Sequence, residues 1–220
     1  MADFVDRMPA DLPSWVSATL SIPRFTPYLE AAGSDHEAAV RLYWWNVRVS
    51  EAFYTPLHCL ELALRNALNS RLRERFARSD WWVAVQLTAQ GSRNLEEAHR
   101  KVRGRAGKDH SADDIVAQLT FGFWVSLVSR GAAYDRTLWV PALHKAFPHY
   151  RGGRAQLHDN LTAMLLLRNR IMHHEPVHHR DLAADHTKIL RLLGYISPMM
   201  VEMLAEVDRV EDTLRREVER

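Results

Sequence analysis

The sequence has almost no cysteine, and several classes of protein are excluded by what it lacks. Cys59 is the only cysteine in 220 residues, which excludes an intramolecular disulfide framework and a cysteine-rich zinc site. No apolar run approaches the roughly 20 residues that a membrane-spanning helix needs. Residues 1–12 carry three aspartates and lack the apolar centre of a signal peptide. We therefore expect a cytoplasmic protein with no membrane partner.

An excess of charge of one sign is also missing. The 29 basic and 27 acidic residues leave a net charge of +2, which is too small to predict binding to nucleic acid by itself. Only four of the basic residues are lysines, so arginine, whose planar fork of donors grips phosphate, dominates. A GC-rich genome explains the same excess more simply, so the excess supports an RNA-binding surface only weakly.

Apolar residues recur at helical rather than alternating spacing in almost every long segment. We predict an all-α protein, with one domain over residues 34–220 and an N-terminal appendage over residues 1–33 that packs on it. A new or kinked helical stretch is expected at Pro56. Ser111 and Asp114 have the spacing of a capping box and open a helix that extends toward Val128. Further helices are expected over residues 137–147, with Pro141 in the first turn, and over residues 198–217.

One helix, predicted over residues 157–174, carries the chemistry. At about 100° per residue, its apolar residues form a core-facing stripe with Arg168 in the middle (Leu157, Leu161, Met164, Leu165 and Met172). Because an unpaired buried charge costs several kcal/mol, an arginine placed there must pair with a carboxylate, reach solvent or line a cleft. Beside this stripe, Asn169 and His173 are four residues apart, so the amide can orient the imidazole.

Arginine, asparagine and histidine suit the cleavage of RNA without a metal. The 2′-hydroxyl of RNA needs a base and the leaving 5′-oxygen needs an acid, and the imidazole of His173 can serve as either. A position near the C-terminal end of a helix favours the protonated ring, and therefore the acid. The guanidinium of Arg168 can stabilise the negative charge of the transition state.

The directions of the Arg168 and His173 side chains do not decide how the two groups would meet at a substrate. Arg168 and His173 point about 140° apart on a straight helix. They can border one cleft if the helix unwinds before Pro176, or they can meet their counterparts across a two-fold axis. The spacing alone is also satisfied by an ordinary arginine and histidine at the end of a helix.

The segment LRNRIMHHEP at residues 167–176 resembles the signature of Abi-like proteins in the HEPN superfamily: an arginine, a polar residue and, after a short gap, a histidine. Further segments agree in order, namely YWWN at residues 43–46, LELALRN at 60–66, WW at 81–82, LTFGFW at 119–124 and LW at 138–139. The similarity extends from about residue 21 to residue 198, which is nearly the whole chain.

This resemblance implies a HEPN-like helical bundle with additional flanking helices and a metal-independent endoribonuclease activity that uses no cofactor. It makes Arg168 and His173 catalytic and Asn169 a supporting residue. It also implies RNA as the substrate, a homodimer as the assembly, and a setting in bacterial abortive infection or toxin-like phage defence. An antitoxin, either RNA or protein, is a further candidate partner.

Four residues are candidate accessory or RNA-contacting groups: Glu61, Arg65, Asn66 and His174. Glu61 lies in an apolar stripe of its helix, where a contact with Arg168 would satisfy both charges, and the family pattern also has Glu there. Pairing of Glu61 with Arg65, one turn on, is an equally good explanation. Asn66 lies opposite the stripe and is included because it matches the family pattern, whereas His174 is expected to tune the site or contact RNA.

Two alternatives concern histidine and tryptophan. His173, His174, His178 and His179 form a cluster, and imidazoles bind zinc or nickel; however, adjacent histidines on a helix point about 100° apart, so we expect no metal. The tryptophans Trp44, Trp45, Trp124 and Trp139 could stack on bases, but each lies in an apolar run that predicts a core position.

Three functions are therefore compatible with the sequence. The first is an endoribonuclease that cleaves through the 2′-hydroxyl and leaves a 2′,3′-cyclic phosphate. The second is a non-catalytic module that binds or senses RNA in the same cleft. The third is a helical interaction scaffold, in which Arg168 and His173 are structural.

Overall fold

One long helix organises the fold. Helix α3 (His36–Phe76) starts where the Asp35 side chain accepts a hydrogen bond from the backbone N–H of Ala38, and it ends before Ala77, whose backbone is left-handed. The computed structural model describes residues 14–104 and 110–218, and within these ranges the protein is all-α, without a β-strand. The other helices are α1 (Ser14–Thr19), α2 (Ile22–Ala31), α4 (Ala89–Arg103), α5 (Ala112–Gln118), α6 (Phe121–Ser126), α7 (Arg154–Met172), α8 (Leu182–Ile196), α9 (Pro198–Ala205) and α10 (Val210–Val218).

Pro56 lies inside α3, and the helix continues through it. Proline removes a backbone hydrogen bond and crowds the preceding turn, which costs about 3 kcal/mol in a helix interior. Burial of the apolar face offsets this cost, because each fully buried leucine contributes about 1.5–3 kcal/mol. The buried side chains on both sides of Pro56 include Val49, Phe53, Leu57, Leu60, Leu64, Leu68 and Leu72. Tertiary packing therefore maintains one helix where local propensity predicts a kink or a new start.

Helix α7 packs against α3, α6 and α8. Its buried side chains are Leu157, Leu161, Met164, Leu167 and Ile171. The predicted core stripe is thus correct in its first half and wrong in its second, because Leu165 is only partly buried and Met172 is 45% exposed. Val177, in the loop after the helix, is fully buried. The chain therefore turns back toward the core here, and Ile171 rather than Met172 faces inward.

The capping box at the start of α5 is confirmed. The Ser111 hydroxyl accepts a hydrogen bond from the backbone N–H of Asp114 at 3.2 Å, and the Asp114 carboxylate accepts one from the backbone N–H of Ser111 at 2.9 Å. The predicted continuation toward Val128 is wrong, because the backbone of Leu119 is extended. A new helix, α6, starts at Thr120, whose side chain caps the N–H of Phe123.

The helix predicted over residues 137–147 is also wrong. A wide helical turn at Asp135–Trp139 and a tight one at Leu143–Ala146 stand in its place, with Pro141 between them. The backbone leaves the helical region at Ala142, which has φ −144° and ψ −55°, so the two turns are not joined into one regular helix.

The last predicted helix, over residues 198–217, is divided into α9 and α10. Asp208 lies in the break: its carboxylate accepts a hydrogen bond from the backbone N–H of Val210 at 3.0 Å and contacts the Nε2 atom of His186 at 2.7 Å. The side chains of His186 and Asp208 are 6% and 12% exposed. This buried pair fixes the start of α10 against α8.

Helices α1 and α2 pack on the start of α3 through a small apolar cluster of Val16, Phe25, Tyr28 and Ala39. Because Ala39 belongs to α3, the cluster joins residues on both sides of the boundary predicted between residues 33 and 34. The boundary itself stays a prediction, and residues 1–13 of the appendage lie outside the described ranges. In the part of the chain that the structure describes, no helix has the apolar length that crossing a bilayer requires.

Candidate active site at the end of helix α7

Arg168 and Glu61 form an ion pair between α7 and α3. The Nε atom of Arg168 lies 3.4 Å from a carboxylate oxygen of Glu61, and the two side chains are 32% and 25% exposed. Each charge is thus paired while it keeps some contact with solvent, which limits the desolvation penalty. Of the two partners weighed for Glu61, the structure brings it to Arg168. The Nε atom of Arg65 instead donates to the Oδ1 atom of Asn66 at 3.2 Å, on the exposed side of α3.

The ion pair borders a cleft of about 250 Å³ between α3 and the end of α7. Its lining residues are Tyr54, Leu57, His58, Glu61, Leu62, Arg65, Ala117, Leu119, Arg168, Ile171 and Met172. Charged and polar groups from two helices therefore face one space with apolar walls, where electrostatic interactions are stronger than in open water. The Nη1 atom of Arg168 also makes a long hydrogen bond of 3.5 Å to the Oδ1 atom of Asn169.

His173 lies at the C-terminal end of α7, outside this cleft. It is the C-cap residue, with φ −93° and ψ 7°, and its backbone N–H donates to the carbonyl of Asn169 at 2.9 Å. Its side chain is exposed, and within residues 14–104 and 110–218 the ring makes no hydrogen bond. The Asn169 amide, which was predicted to orient this ring, contacts Arg168 instead. The structure thus brings Glu61, Arg168 and Asn169 together and leaves His173 apart.

His174, the next residue, has a left-handed backbone with φ 58°. Its N–H donates to the carbonyl of Ile171 at 3.0 Å, and the N–H of Glu175 donates to the carbonyl of Arg170 at 2.8 Å. These two bonds define a Schellman cap, whose left-handed position is usually glycine, because a side chain there costs roughly 1–2 kcal/mol.

Arg24 on α2 donates hydrogen bonds to the backbone carbonyls of His173 and His174. Its Nη1 atom donates to the carbonyl of His173 at 3.1 Å and to the carbonyl of His174 at 2.8 Å. These are among the last acceptors of the helix end, where a cation also complements the helix dipole. Arg24 is 149 residues from His173 in sequence, so no local pattern predicts this contact.

Asn46 on α3 anchors the loop that follows the motif. Its Oδ1 atom accepts a hydrogen bond from the backbone N–H of Val177 at 2.7 Å, and its side chain is 5% exposed. Asn46 is the last residue of the YWWN segment, and the sequence alone predicts no role for it. A polar residue on a buried helix face is the signal that singled out Glu61, and the same signal identifies Asn46.

We expect Asn46→Ala to lower the free energy of unfolding by about 2 kcal/mol, because the buried N–H of Val177 loses this acceptor. Denaturant unfolding followed by circular dichroism measures the change. Asn66→Ala, which removes an exposed amide from the same helix, is the matched control and should alter stability by less than about 0.5 kcal/mol. Equal losses in the two variants would contradict the anchoring role of Asn46.

His178 and His179 lie in the loop after the motif. Among the described residues, no group of three or more histidines, cysteines, aspartates or glutamates is arranged to hold a metal ion. The ring of His178 packs on Tyr28, with centroids 5.3 Å apart, and burial followed by the neighbouring His179 lowers the pKa of His178. Burial and the charges of Arg170 and Arg180 lower the pKa of His179.

The lowered pKa of His178 predicts a loss of stability in acid. The unfolded chain binds a proton at this ring near the ordinary value of 6.5, whereas the folded chain binds it only at lower pH, so the free energy of unfolding falls as the pH drops below that value. His178→Phe keeps a ring against Tyr28 and should lose less stability than the wild type between about pH 7 and pH 5.5. Urea unfolding at both pH values measures the difference; parallel losses in the two proteins would show that His178 does not contribute.

A second groove, of about 730 Å³, adjoins the cleft. Its lining residues are Arg24, Tyr28, Tyr43, Trp44, Asn46, Val47, Ser50, Glu51, Tyr54, Thr55, Ile171, Met172 and His174. The core prediction for the tryptophans is confirmed for Trp45 and Trp124, which are buried, and is wrong for Trp44, which is 48% exposed. Trp139 is partly buried and packs against the core. Of the predicted site residues, His174 lines this groove, and Arg168 lines the cleft beside it.

The site therefore combines a paired arginine in a cleft, two histidines at an adjoining helix end and a groove beside them. No family model, curated protein or solved structure matches this chain. The resemblance to Abi-like proteins accordingly rests on the sequence segments given above, from residues 43–46 to residues 167–176.

Proposed function

We propose that this protein is a metal-independent endoribonuclease of the HEPN type. The observation that carries the proposal is the position of Arg168, whose guanidinium borders an open cleft 3.4 Å from Glu61 instead of lying in the core. The carboxylate engages part of the planar fork and orients it, which leaves further N–H donors for a ligand. An oriented and partly desolvated guanidinium is suited to the charge that develops during phosphodiester cleavage.

The reaction uses the nucleophile that RNA itself carries. The 2′-oxygen attacks the adjacent phosphorus while its proton passes to a base, and the bond between phosphorus and the 5′-oxygen breaks. The 5′-oxygen takes a proton from an acid, so the products are a 2′,3′-cyclic phosphate and a 5′-hydroxyl. Arg168 stabilises the charge on the non-bridging oxygens, Asn169 supports it, and His173 acts as the acid.

The resemblance to Abi-like proteins supports this proposal and gives it a setting. The all-α fold without a strand in the described ranges is compatible with a HEPN-like bundle. We propose a cytoplasmic role in abortive infection or toxin-like phage defence, in which an RNA or protein antitoxin restrains the enzyme. Glu61, Arg65, Asn66 and His174 are the accessory residues of the proposal; Glu61 and Arg65 line the cleft.

The separate position of His173 favours a homodimer in which a second copy completes the site. Arg168 faces the cleft, whereas the His173 ring is exposed at the helix end. Two copies related by a two-fold axis would bring one arginine and one histidine from different chains to the same phosphate. Light scattering coupled to size-exclusion chromatography measures the assembly.

Mixing two inactive variants tests this arrangement. In an equal mixture of Arg168→Ala and His173→Ala chains, half of the dimers are mixed, and each holds one intact composite site, so we expect about a quarter of the wild-type rate. Each variant alone should be inactive. A mixture that stays inactive after exchange of subunits would place both residues of a site in the same chain.

A second candidate function is a non-catalytic RNA-binding module. The observation that favours it is the position of the His173 ring, which lies outside the cleft that Arg168 borders. Such a module would bind RNA through Arg168 without turnover, and its affinity, not its cleavage rate, would depend on that residue.

The experiment that tests the proposal compares two substrates. One is a labelled RNA oligonucleotide and the other has the same sequence with 2′-deoxy sugars, both incubated with the protein in EDTA. We expect cleavage of the RNA alone, since only RNA carries the attacking hydroxyl. Cleavage of both, or cleavage only when a divalent metal is restored, would refute the proposed chemistry, whereas binding without cleavage would select the second candidate.

A further inference from the structure

We propose that the groove beside the Arg168 cleft binds nucleobases of a single-stranded RNA segment, with Trp44 and Tyr54 as its stacking surfaces. The identity of the strand rests on the proposed function, but the groove is formed by residues other than Arg168, Asn169 and His173. The groove would hold the part of the substrate next to the cleaved bond and would select for strands whose bases are unstacked.

The two aromatic rings are open to solvent in a way that suits stacking. Trp44 is 48% exposed and Tyr54 is 55% exposed. His58 stacks on Tyr54, with an interplanar angle of 17° and centroids 5.9 Å apart, and more than half of the tyrosine surface remains exposed. Tyr43 meets Trp44 edge to face, at 78° and 5.4 Å, and so holds the indole in place.

The groove and the cleft are continuous. Tyr54, Ile171 and Met172 line both of them, so a strand with its phosphate at Arg168 passes over Tyr54 into the groove. Trp44 and Tyr54 are ten residues apart on α3, which corresponds to roughly 15 Å along the helix. This separation is longer than one nucleotide, so the two rings can stack on different bases of one strand.

Arg24 places a guanidinium at the groove. Among the lining residues it is the only arginine or lysine, and Glu51 is the only carboxylate. Arg24 uses its Nη1 atom for two carbonyls, so the rest of its guanidinium can meet a phosphate. Aromatic rings beside a guanidinium bind single strands by stacking on the bases and by contacting the phosphate backbone.

Binding of a non-cleavable strand tests the inference apart from catalysis. The probe is a short fluorescently labelled oligonucleotide with 2′-O-methyl sugars, and anisotropy measures its dissociation constant. We expect Trp44→Ala and Tyr54→Ala each to weaken binding by about tenfold, with little change in the salt dependence, because stacking neutralises no phosphate. Trp44→Phe keeps a ring and should retain most of the affinity, which distinguishes lost stacking from lost folding.

The matched control is Trp15→Ala. Trp15 is 42% exposed but does not line the groove, so this variant should bind the probe like the wild type. In steady-state cleavage, the Trp44→Ala variant should raise KM by a larger factor than it lowers kcat, because Trp44 lines the groove and not the cleft.

The possible failures are distinguishable. If wild-type cleavage depends on Arg168 while the Trp44 and Tyr54 variants bind like Trp15→Ala, the groove inference is wrong and the proposed function stands. If the probe binds through Trp44 but RNA is never cleaved, the inference stands and the proposed function is wrong. A wild type that does not bind the probe, or a Trp44 variant that changes only the oligomeric state, overturns the inference; the latter result would make the groove a contact between chains.

Discussion

Arg168→Ala is expected to reduce kcat/KM for RNA cleavage by about a thousandfold, the scale seen when a donor to a transition-state oxyanion or a catalytic arginine is removed. The guanidinium is oriented by Glu61 at 3.4 Å and borders the cleft, so its loss removes positive charge where the non-bridging oxygens become more negative. Single-turnover cleavage of a labelled RNA, with enzyme in excess, measures the effect without interference from product release.

Two further variants separate the contributions of charge and shape. Arg168→Lys keeps the charge but loses the planar fork, so it should recover only part of the rate. Glu61→Gln leaves a side chain of similar shape beside Arg168 and should have a smaller effect than Arg168→Ala, since Glu61 acts through the arginine. If Arg168→Ala cleaves RNA at the wild-type rate while remaining folded, the arginine is structural and the proposed site is wrong.

His173→Ala is expected to lower kcat on the order of a hundred- to ten-thousandfold, the range for loss of a general acid or base. The side chain is exposed at the end of α7, so its removal should cost little stability and the loss should be chemical. His149→Ala, which removes another exposed histidine, is the matched control and should cleave like the wild type.

The pH profile provides an independent readout for His173. An imidazole that donates a proton must be protonated first, so the wild-type rate should fall as the pH rises. This dependence should be missing from the residual activity of His173→Ala. A limb of the profile that is the same in both proteins would assign the proton transfer to another group.

The fold was largely predictable from the sequence where local rules decide it. Helical periodicity predicted the all-α class, and the capping box at Ser111 was predicted from side-chain spacing alone. The errors occurred where packing or one backbone group decides the outcome. The apolar face of α3 maintains the helix through Pro56, whereas the non-helical backbone of Ala142 interrupts the helix expected over residues 137–147.

The site was predictable only in part, for a related reason. Glu61 and Arg168 are charges within apolar stripes, so their need for partners is visible in the sequence. Asn46 carries the same signal on the same helix. The contact of Arg24 with the carbonyls of His173 and His174 joins segments about 150 residues apart, and no helical periodicity encodes it. Trp44 lies in an apolar run, yet it is 48% exposed, because burial depends on which other helices cover that part of α3.

The most direct test of the central claim is the end-group chemistry of the fragments that the purified protein produces from a defined RNA in EDTA. Mass spectrometry of the fragments from the wild type should show 2′,3′-cyclic phosphate and 5′-hydroxyl ends, and an Arg168→Ala preparation made in parallel should yield almost none. Fragments with 3′-hydroxyl and 5′-phosphate ends, or equal amounts of cyclic phosphate from the variant, would contradict the claim that Arg168 directs metal-independent attack by the 2′-hydroxyl.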